Sequence, residues 1–349
     1  MKTVGKYIVS AVLAFVFGYI AFRGANLSEI LTSIKDADLL YLSLLFALVL
    51  LSGFFRAWRW GIMLKPVKQK IRLRVLFSAV MIGYLLNNLL PRAGELGRSF
   101  ALAKVERMKV GSVLAATAAE RAMDVITLLL LVLIVPILYT GPLMETFPWL
   151  RLAQWIGFGG SALAVGVVVV AVLRRDLAVK VMKSFLQVFP DRVALKLFQF
   201  GDSLIDGVMF IREPRTFGPI FLLTMGTWVP YALMIYCGFE AFGLHHSLGI
   251  GAAVVVLAIS SVGVAIPTPG GAGSYHLFVV GALTGLYGIE RSLALSFATT
   301  VHGVVWLGTC LVGLVFLVVD QVRIADAMGK GKVTGTASTE GVRSQGARS

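Results

Sequence analysis

Long apolar runs without a charged residue dominate this sequence and restrict what it can fold into. Residues 126–138 and 249–266 contain no Asp, Glu, Lys or Arg. Over the whole chain 58% of residues are hydrophobic and 14% are charged, whereas soluble domains carry about 25% charged residues. One bilayer crossing takes about 20 mainly apolar residues. We therefore expect an all-α fold, a polytopic transmembrane helix bundle over residues 1–327.

Nine apolar stretches are candidate membrane helices. In chain order they cover residues 7–22, 39–55, 76–90, 113–139, 153–173, 217–240, 249–266, 275–288 and 293–319. The first stretch follows Lys2 and Lys6 and so resembles a signal peptide, but it lacks a clear small-x-small cleavage site. We interpret it as a retained helix.

The motif P-x-x-G-x-x-G interrupts the apolar pattern twice, at residues 91–97 and 267–273. Proline removes a backbone donor and blocks continuation of a helix. Glycine permits tight turns and lets the backbone approach a ligand. Each copy therefore predicts a break in a membrane segment. The first copy is charged and the second is neutral, so we expect charge selectivity to come from the first.

Lys and Arg are concentrated in some loops and nearly absent from others. The rich segments are 56–74 with seven, 92–109 with five and 174–215 with eight. The poor segments are 23–38 with two, 140–151 with one and 241–291 with one. Because cytoplasmic loops carry the positive excess, the rich segments are expected inside. This bias also accounts for the net charge of +14, and we expect no nucleic-acid partner.

This orientation predicts that the broken segments do not cross the membrane. If residues 76–90 crossed fully, segments 56–74 and 92–109 would lie on opposite sides. A re-entrant hairpin keeps both inside, together with both termini, and irregular backbone at membrane depth is tolerated where protein buries it or a cavity hydrates it. Residues 249–288 lie between poor loops and would enter from outside. We therefore expect two re-entrant hairpins from opposite faces.

The same pattern predicts an inverted repeat. The first repeat would cover residues 39–139 and the second 217–319, with a linking span at 153–173. Interrupted segments at matching places in two halves are a pointer to a transporter site. The alternative is a chance match in a chain with 37 glycines. Residues 176–212 are predicted to form a cytoplasmic amphipathic segment, and residues 328–349 a disordered cytoplasmic tail.

Charged residues near the first break are the strongest candidates for chemistry. A helix is expected to restart after Gly97, and its N-terminus favours anions. Arg92 and Arg98 can add bidentate phosphate contacts. Glu120, Arg121 and Asp124 lie within five positions in an apolar stretch. An uncompensated charge there costs at least about 2.5–3.5 kcal/mol. A structural salt-bridge network and a headgroup or proton site remain equally open.

The second break offers backbone groups rather than charge. Its glycines can present N–H groups to a phosphate, and His276 follows them. The expected substrate-binding residues are Arg92, Gly94, Glu95, Gly97, Arg98, Glu120, Arg121, Asp124, Pro267, Gly270, Gly271, Gly273 and His276. Arg56, Trp58, Arg59 and Trp60 are interpreted as interfacial anchors, with headgroup contact as a second possibility. No catalytic residue, metal ligand or cofactor is expected, because no hydrolase or nucleotide signature occurs.

Three motifs in order carry a family resemblance: residues 89–98, then Glu120-Arg121-x-x-Asp124, then residues 267–273. They resemble the lysylphosphatidylglycerol synthase transmembrane region family, also called flippase-like membrane proteins, over roughly residues 5–322. In bifunctional members a similar region moves an aminoacylated lipid between leaflets, and a separate soluble domain makes that lipid. This chain has no room for such a domain, so the resemblance implies translocation rather than synthesis.

The function we expect is transport of an anionic or phosphate-bearing lipid, of phospholipid or polyprenyl-phosphate type, between the leaflets of the plasma (inner) membrane. Membrane lipids are the expected partners, with envelope-assembly enzymes as further candidates. Two alternatives remain open. One is an integral-membrane enzyme acting on lipid phosphate groups, and the other is an accessory subunit of a cell-envelope glycan or lipid assembly complex.

Overall fold

The computed structural model describes residues 15–23, 26–139, 174–186 and 214–333, single positions outside these ranges, and side chains in the last range as far as residue 320. Within these residues the chain forms α-helices and short 3-10 turns, without a β-strand. Four helices are long and apolar enough to cross a membrane: Leu39–Met63, Val110–Leu138, Phe217–Ala241 and Arg291–Asp320. The predicted all-α, multi-pass class is therefore confirmed.

The helices are labelled in chain order. They are α1 (Leu27–Lys35), α2 (Leu39–Met63), α3 (Leu73–Leu89), α4 (Ala93–Glu106), α5 (Val110–Leu138), α6 (Arg175–Leu186), α7 (Phe217–Ala241), α8 (Ile250–Ala265), α9 (Ser274–Tyr287) and α10 (Arg291–Val333). Residues 15–22, ahead of α1, are also helical.

Polar side chains in the loops set where helices begin. The Asn26 side chain accepts the N–H of Ser28 ahead of α1, and Asp38 accepts the N–H of Leu40 ahead of α2. These bonds satisfy donors that have no partner inside the helix. Glu290 does the same for α10, and the N–H groups of Ser292 and Leu293 lower its pKa below the usual value. The long apolar helices therefore start at defined positions.

A long helix, two short helices and a second long helix follow one another twice. The first unit is α2 to α5 and the second is α7 to α10. In each unit the two short helices pack on each other, and the first of them packs on its own unit's first long helix. The first short helix of each unit also packs on the last long helix of the other unit: α3 on α10, and α8 on α5. The packing between the two units is therefore reciprocal.

The short pair in the first unit, which we call hairpin one (α3, α4 and the turn between them), is packed without space for side chains at its centre. A Cβ atom on Gly94 would lie 2.0 Å from the carbonyl oxygen of Gly83. A Cβ on Gly83 would lie 3.1 Å from Cδ of Arg98. The turn itself is made by Pro91 and Arg92, and Arg92 has a left-handed φ of 60°. The glycines of the first motif therefore serve close packing rather than the turn.

The short pair in the second unit, hairpin two (α8, α9 and residues 266–273), uses its glycines differently. Gly270, Gly271 and Gly273 have φ values of 59°, 76° and 78°. These values lie in the left-handed region that residues with a Cβ avoid. The second motif therefore makes a turn that depends on glycine conformation.

Three predicted boundaries need correction. Helix α2 runs eight residues past position 55, to Met63, because Trp60, Ile62 and Met63 continue its buried face. Helix α4 starts at Ala93 and not after Gly97, because the turn is complete at Arg92. Helix α10 continues to Val333, so residues 328–333 are helical, although they were predicted to belong to the disordered tail. Each residue added to an existing helix gains a hydrogen bond, which favours this extension.

Several predicted segments fall outside the described residues. This applies to most of the linking span 153–173, to most of residues 187–213 and to the tail after Val333. Within the predicted amphipathic segment, α6 is a helix that exposes Leu177, Val181 and Phe185 at four-residue spacing. Such a face suits a helix lying in the membrane interface.

Substitution of Gly94 by alanine tests the packing of hairpin one. We expect a loss of about 1–3 kcal/mol, as for overpacking of a full interior, because two backbone segments must separate. Gly97→Ala should be milder, since its Cβ would meet only the side chain of Leu86, which can rotate. Gly218→Ala has no heavy atom within 4 Å of its Cβ and serves as control. Melting temperatures in detergent provide the measurement, and equal values for Gly94→Ala and Gly97→Ala would contradict this account.

Candidate functional site

Two arginines from α2 bind one carboxylate from α5. Nη2 of Arg56 lies 2.8 Å from Oδ2 of Asp124, and Nη2 of Arg59 lies 2.6 Å from Oδ1 of Asp124. The arginines are three positions apart, so they share one face of α2. Nη1 of Arg59 also donates to the hydroxyl of Thr224 on α7 at 3.1 Å. Arg59 therefore joins α2 both to Asp124 of α5 and to α7, the first long helix of the second unit.

Glu120, one turn before Asp124, binds hairpin one. Its Oε2 lies 2.8 Å from Nη2 of Arg98, and the Arg98 guanidinium lies 4.6 Å from the ring centroid of Trp60. Glu120 is 0% exposed and Arg98 is 3% exposed. Oε1 of Glu120 also lies 3.6 Å from Nε of Arg56. A buried ion pair and a cation–π contact together hold α4 against α2 and α5.

Arg121 is the loosely held cation of the site. Its nitrogens lie 3.3 Å from Glu120 Oε1, 3.6 Å from Asp124 Oδ2 and 3.8 Å from Glu95 Oε1. Its side chain is 37% exposed, whereas those of Arg56, Arg59 and Arg98 are at most 6% exposed. Arg121 is therefore the arginine that can exchange its present partners for another anion at the lowest cost.

These residues form one charge cluster, which we define by seven members: Arg56, Arg59, Glu95, Arg98, Glu120, Arg121 and Asp124. Four guanidinium groups and three carboxylates give it a net charge of +1. The buried Nε atoms of Arg56, Arg59 and Arg121 have no hydrogen-bond partner. A buried charge without compensation is costly in an apolar bundle, so the cluster is suited to receive one more anion.

A cavity of about 10 Å³ lies inside the charge cluster, enough for roughly one water molecule. Its polar lining comes from Arg56, Tyr84, Asn87, Glu95, Arg98 and Arg121. The conformation is therefore closed to anything as large as a phosphate group. A ligand of that size requires the helices around the cavity to move apart.

The tip of hairpin one is fixed by two asparagines. Oδ1 of Asn87 accepts the N–H of Gly94 at 2.7 Å, and Nδ2 of Asn87 donates to Oε1 of Glu95 at 3.3 Å. The next residue, Asn88, donates to Thr309 Oγ1 on α10 at 2.9 Å. Asn87 therefore faces the charge cluster while Asn88 binds the other unit.

The tip of hairpin two lies against the tip of hairpin one. A Cβ on Gly270 would lie 2.7 Å from Nε1 of Trp306 and 3.4 Å from Cα of Asn88. The guanidinium of Arg92, on the tip of hairpin one, donates to the carbonyl of Ala265 at 3.4 Å. The tips of the two hairpins therefore meet.

His276 lies apart from the charge cluster in an aromatic group. Its ring centroid is 5.1 Å from that of His302 and 5.8 Å from that of Phe22, and Tyr275 packs on His302 at 5.0 Å. Nδ1 of His276 is buried without a hydrogen-bond partner. Among the described residues no group of three His, Cys, Asp or Glu side chains could hold a metal ion.

The predicted site residues therefore do not all meet in one site. Glu95, Arg98, Glu120, Arg121 and Asp124 belong to the charge cluster, and Gly94 lines its cavity. Arg92, Gly270 and Gly271 lie at or beside the contact between the two hairpin tips. The remaining three lie elsewhere: Pro267 is exposed, Gly97 packs on Leu86 and Gly273 precedes α9. His276 lies in the aromatic group.

The interpretation of Arg56, Arg59 and Trp60 as interfacial anchors is wrong. Arg56 is 5% exposed, and Arg59 and Trp60 are fully buried, because α2 continues past them and α5 presents two carboxylates to their face. Trp58 lies on another face of α2 and is 46% exposed, as expected for an interfacial anchor. The sequence did contain a signal for this burial. Arg56 and Arg59 share one helical face at i, i+3 spacing, and Glu120 and Asp124 share one at i, i+4 spacing.

Comparison with known proteins places the chain in a family. Residues 4–313 match the family described as lysylphosphatidylglycerol synthase TM region, and the chain belongs to it. It is similar to two proteins of Methanothermobacter thermautotrophicus, each named UPF0104 membrane protein. One is 26% identical over 323 residues, which is 85% of this chain and 90% of the relative, and the other is 26% identical over 269 residues, covering 70% and 75%. No solved structure matches the chain.

Neutralising Glu120 tests how far the fold depends on the charge cluster. In Glu120→Gln the buried Arg98 loses its short ion pair, and breaking a buried pair from one side costs about 3–5 kcal/mol. Glu106→Gln is the matched control, because Glu106 pairs with Lys68, whose side chain is 37% exposed; pairs near the surface contribute about 0–1 kcal/mol. Thermal unfolding in detergent compares the two variants. A Glu120→Gln protein as stable as Glu106→Gln would show that the cluster does not hold the bundle together.

Proposed function

We propose that this protein moves an anionic, phosphate-bearing lipid between the two leaflets of the membrane. The observation that supports this most strongly is the buried charge cluster, with its net charge of +1, inside an apolar helix bundle. Intramembrane charges are expensive and mark pathways for polar groups. The excess is positive, so the group that passes is expected to be negative.

Arginine is suited to phosphate because its planar guanidinium donates two parallel hydrogen bonds. Arg121 is the group we assign to first contact with the headgroup, since it is 37% exposed and holds no ion pair shorter than 3.3 Å. Arg56, Arg59 and Arg98 keep their carboxylates and supply the positive background. Arg92 lies at the tip of hairpin one and extends the positive surface towards hairpin two.

Transport further requires that the closed cavity open. A volume of about 10 Å³ excludes a phosphate, and the two hairpin tips meet beside it. We propose that both hairpins are re-entrant, that they enter from opposite faces within an inverted repeat, and that separating one tip from the bundle opens the site to one leaflet. Both termini lie in the cytoplasm in this arrangement, and the membrane is the plasma membrane.

The family supports a lipid substrate in general terms. Its description names the transmembrane region of a lysylphosphatidylglycerol synthase, and lysylphosphatidylglycerol is a lipid with a phosphate in its headgroup. The relatives are named only as membrane proteins.

Substitution of Arg121 tests the proposed headgroup contact. Purified protein is reconstituted into vesicles containing fluorescent phosphatidylglycerol, and the fraction quenched from outside reports movement between leaflets. Arg121→Gln should slow this movement roughly tenfold or more, since hydrogen bonds to charged groups contribute about 1.5–3 kcal/mol. Arg121→Lys keeps the charge without the planar fork and should be intermediate. Arg215→Gln, at an exposed position before α7, is the control.

Two outcomes of that experiment would contradict the proposal. Wild-type protein that moves neither phosphatidylglycerol nor a labelled polyprenyl phosphate would remove the transport function. Folded Arg121→Gln protein that moves lipid at the wild-type rate would remove Arg121 from the headgroup site.

Cysteine labelling tests whether hairpin one is re-entrant. Lys70→Cys and Lys109→Cys, made separately in a Cys237→Ser, Cys310→Ser background, place thiols at exposed positions before α3 and after α4. If the hairpin returns to its starting face, an impermeant maleimide will label both positions from the cytoplasmic side only. Labelling from opposite sides would mean that the α3–α4 segment crosses the membrane.

A further inference from the structure

Glu95 has the weakest partners of the three carboxylates in the charge cluster. Its Oε1 lies 3.8 Å from Nε of Arg121 and 3.3 Å from Nδ2 of Asn87. Its Oε2 is buried and has no hydrogen-bond partner. Glu120 and Asp124 differ, because each has at least one guanidinium nitrogen at 2.8 Å or closer. Glu95 therefore depends on one loosely held arginine for its compensating charge.

That arginine is the one assigned to the incoming headgroup. If a phosphate takes the guanidinium of Arg121, Glu95 keeps only the amide of Asn87 beside it. The groups that face Glu95 across the cavity are Arg56 from α2, Tyr84 and Asn87 from α3, Arg121 from α5, and Arg98 from its own helix. Arg98 is already held by Glu120, and Arg56 by Asp124. Neither can replace Arg121 without breaking a short ion pair.

The carboxylate and the phosphate would then be two negative groups in one small cavity. Two like charges in a shared low-dielectric site favour protonation of one of them. A protonated carboxyl gains an O–H donor that can bond to the phosphate oxygen, and this would satisfy the Glu95 oxygen that has no partner in the closed conformation.

We infer that Glu95 takes up one proton from water each time the site binds a phosphate headgroup, so that lipid binding is linked to proton binding. This inference rests on the proposed function and adds a coupling ion to it. One headgroup phosphate and one proton enter together, so a site loaded with a phosphodiester keeps the net charge of +1 that the empty cluster has. A pH difference across the membrane would then bias the direction of transport.

Proton uptake on binding can be measured through the pH dependence of the dissociation constant. For uptake of one proton on binding, the dissociation constant rises with pH by at most about tenfold per unit, over the range in which Glu95 is ionised in the free protein and protonated in the complex. We therefore expect the Kd of short-chain phosphatidylglycerol, measured by calorimetry in detergent, to rise with pH in wild-type protein. Titrations in two buffers with different ionisation enthalpies should show an uptake approaching one proton.

Glu95→Gln is the decisive variant, because glutamine has the shape of the protonated carboxyl and cannot release a proton. Its Kd should be independent of pH and near the wild-type value at acidic pH, with no proton uptake. Glu29→Gln removes an exposed carboxylate of α1 and should retain the wild-type behaviour. Melting temperatures confirm that each variant is folded.

The outcomes separate the two proposals. Wild-type binding with no proton uptake, or the same pH dependence in folded Glu95→Gln, overturns the role of Glu95 and leaves lipid transport standing. Absence of any binding of phosphatidylglycerol or of a short-chain polyprenyl phosphate overturns both. Proton uptake that is lost in Glu95→Gln and kept in Glu29→Gln supports the inference.

Discussion

The pairing of arginines with the two carboxylates of α5 is the interaction on which the rest of this bundle depends. Asp124 holds Arg56 and Arg59 of α2, and Glu120 holds Arg98 of α4. Lipid-facing apolar surfaces give little preference for one helix arrangement over another, since the lipid tails are equally apolar. Ion pairs in the interior specify which helices meet, because a buried arginine that lacks a carboxylate partner is costly in a membrane. The charges therefore determine the arrangement as well as the chemistry of the site.

The same pairing separates two kinds of charge within one cluster. Short ion pairs hold Arg56, Arg59 and Arg98, and they leave these groups little freedom to meet a substrate. Arg121 and Glu95 are joined by longer contacts and are more exposed. Charges that stabilise the fold and charges available for ligand exchange thus lie side by side. A network of ion pairs and a binding site, which the sequence left as equal alternatives, are compatible, because the proposed headgroup contact falls on Arg121, which holds no ion pair shorter than 3.3 Å.

Much of the fold could be predicted because its signals are local. Apolar runs and turn residues located α3, α5, α7, α8 and α9 to within a few positions, and two matching interruptions indicated two similar units. The buried position of Arg59 depends instead on a distant contact with Asp124, 65 residues later. At the level of sequence, arginines and tryptophans at the end of an apolar run look like residues at a membrane surface. Only the continuation of α2 and the facing carboxylates of α5 reveal their burial, and nothing local indicates these.

The two copies of P-x-x-G-x-x-G show how one sequence pattern can serve two mechanical purposes. In hairpin one Gly94 is a helical residue whose missing side chain lets two backbones touch, so we expect that hairpin to move as a single stiff body that carries Arg98. In hairpin two Gly270, Gly271 and Gly273 occupy left-handed conformations, and a run of such residues can change its dihedral angles without steric penalty. If the two tips part, the bending should occur in the second loop, and the first hairpin should act as a lever that moves as one piece. We therefore expect the two halves to differ in stiffness as well as in charge.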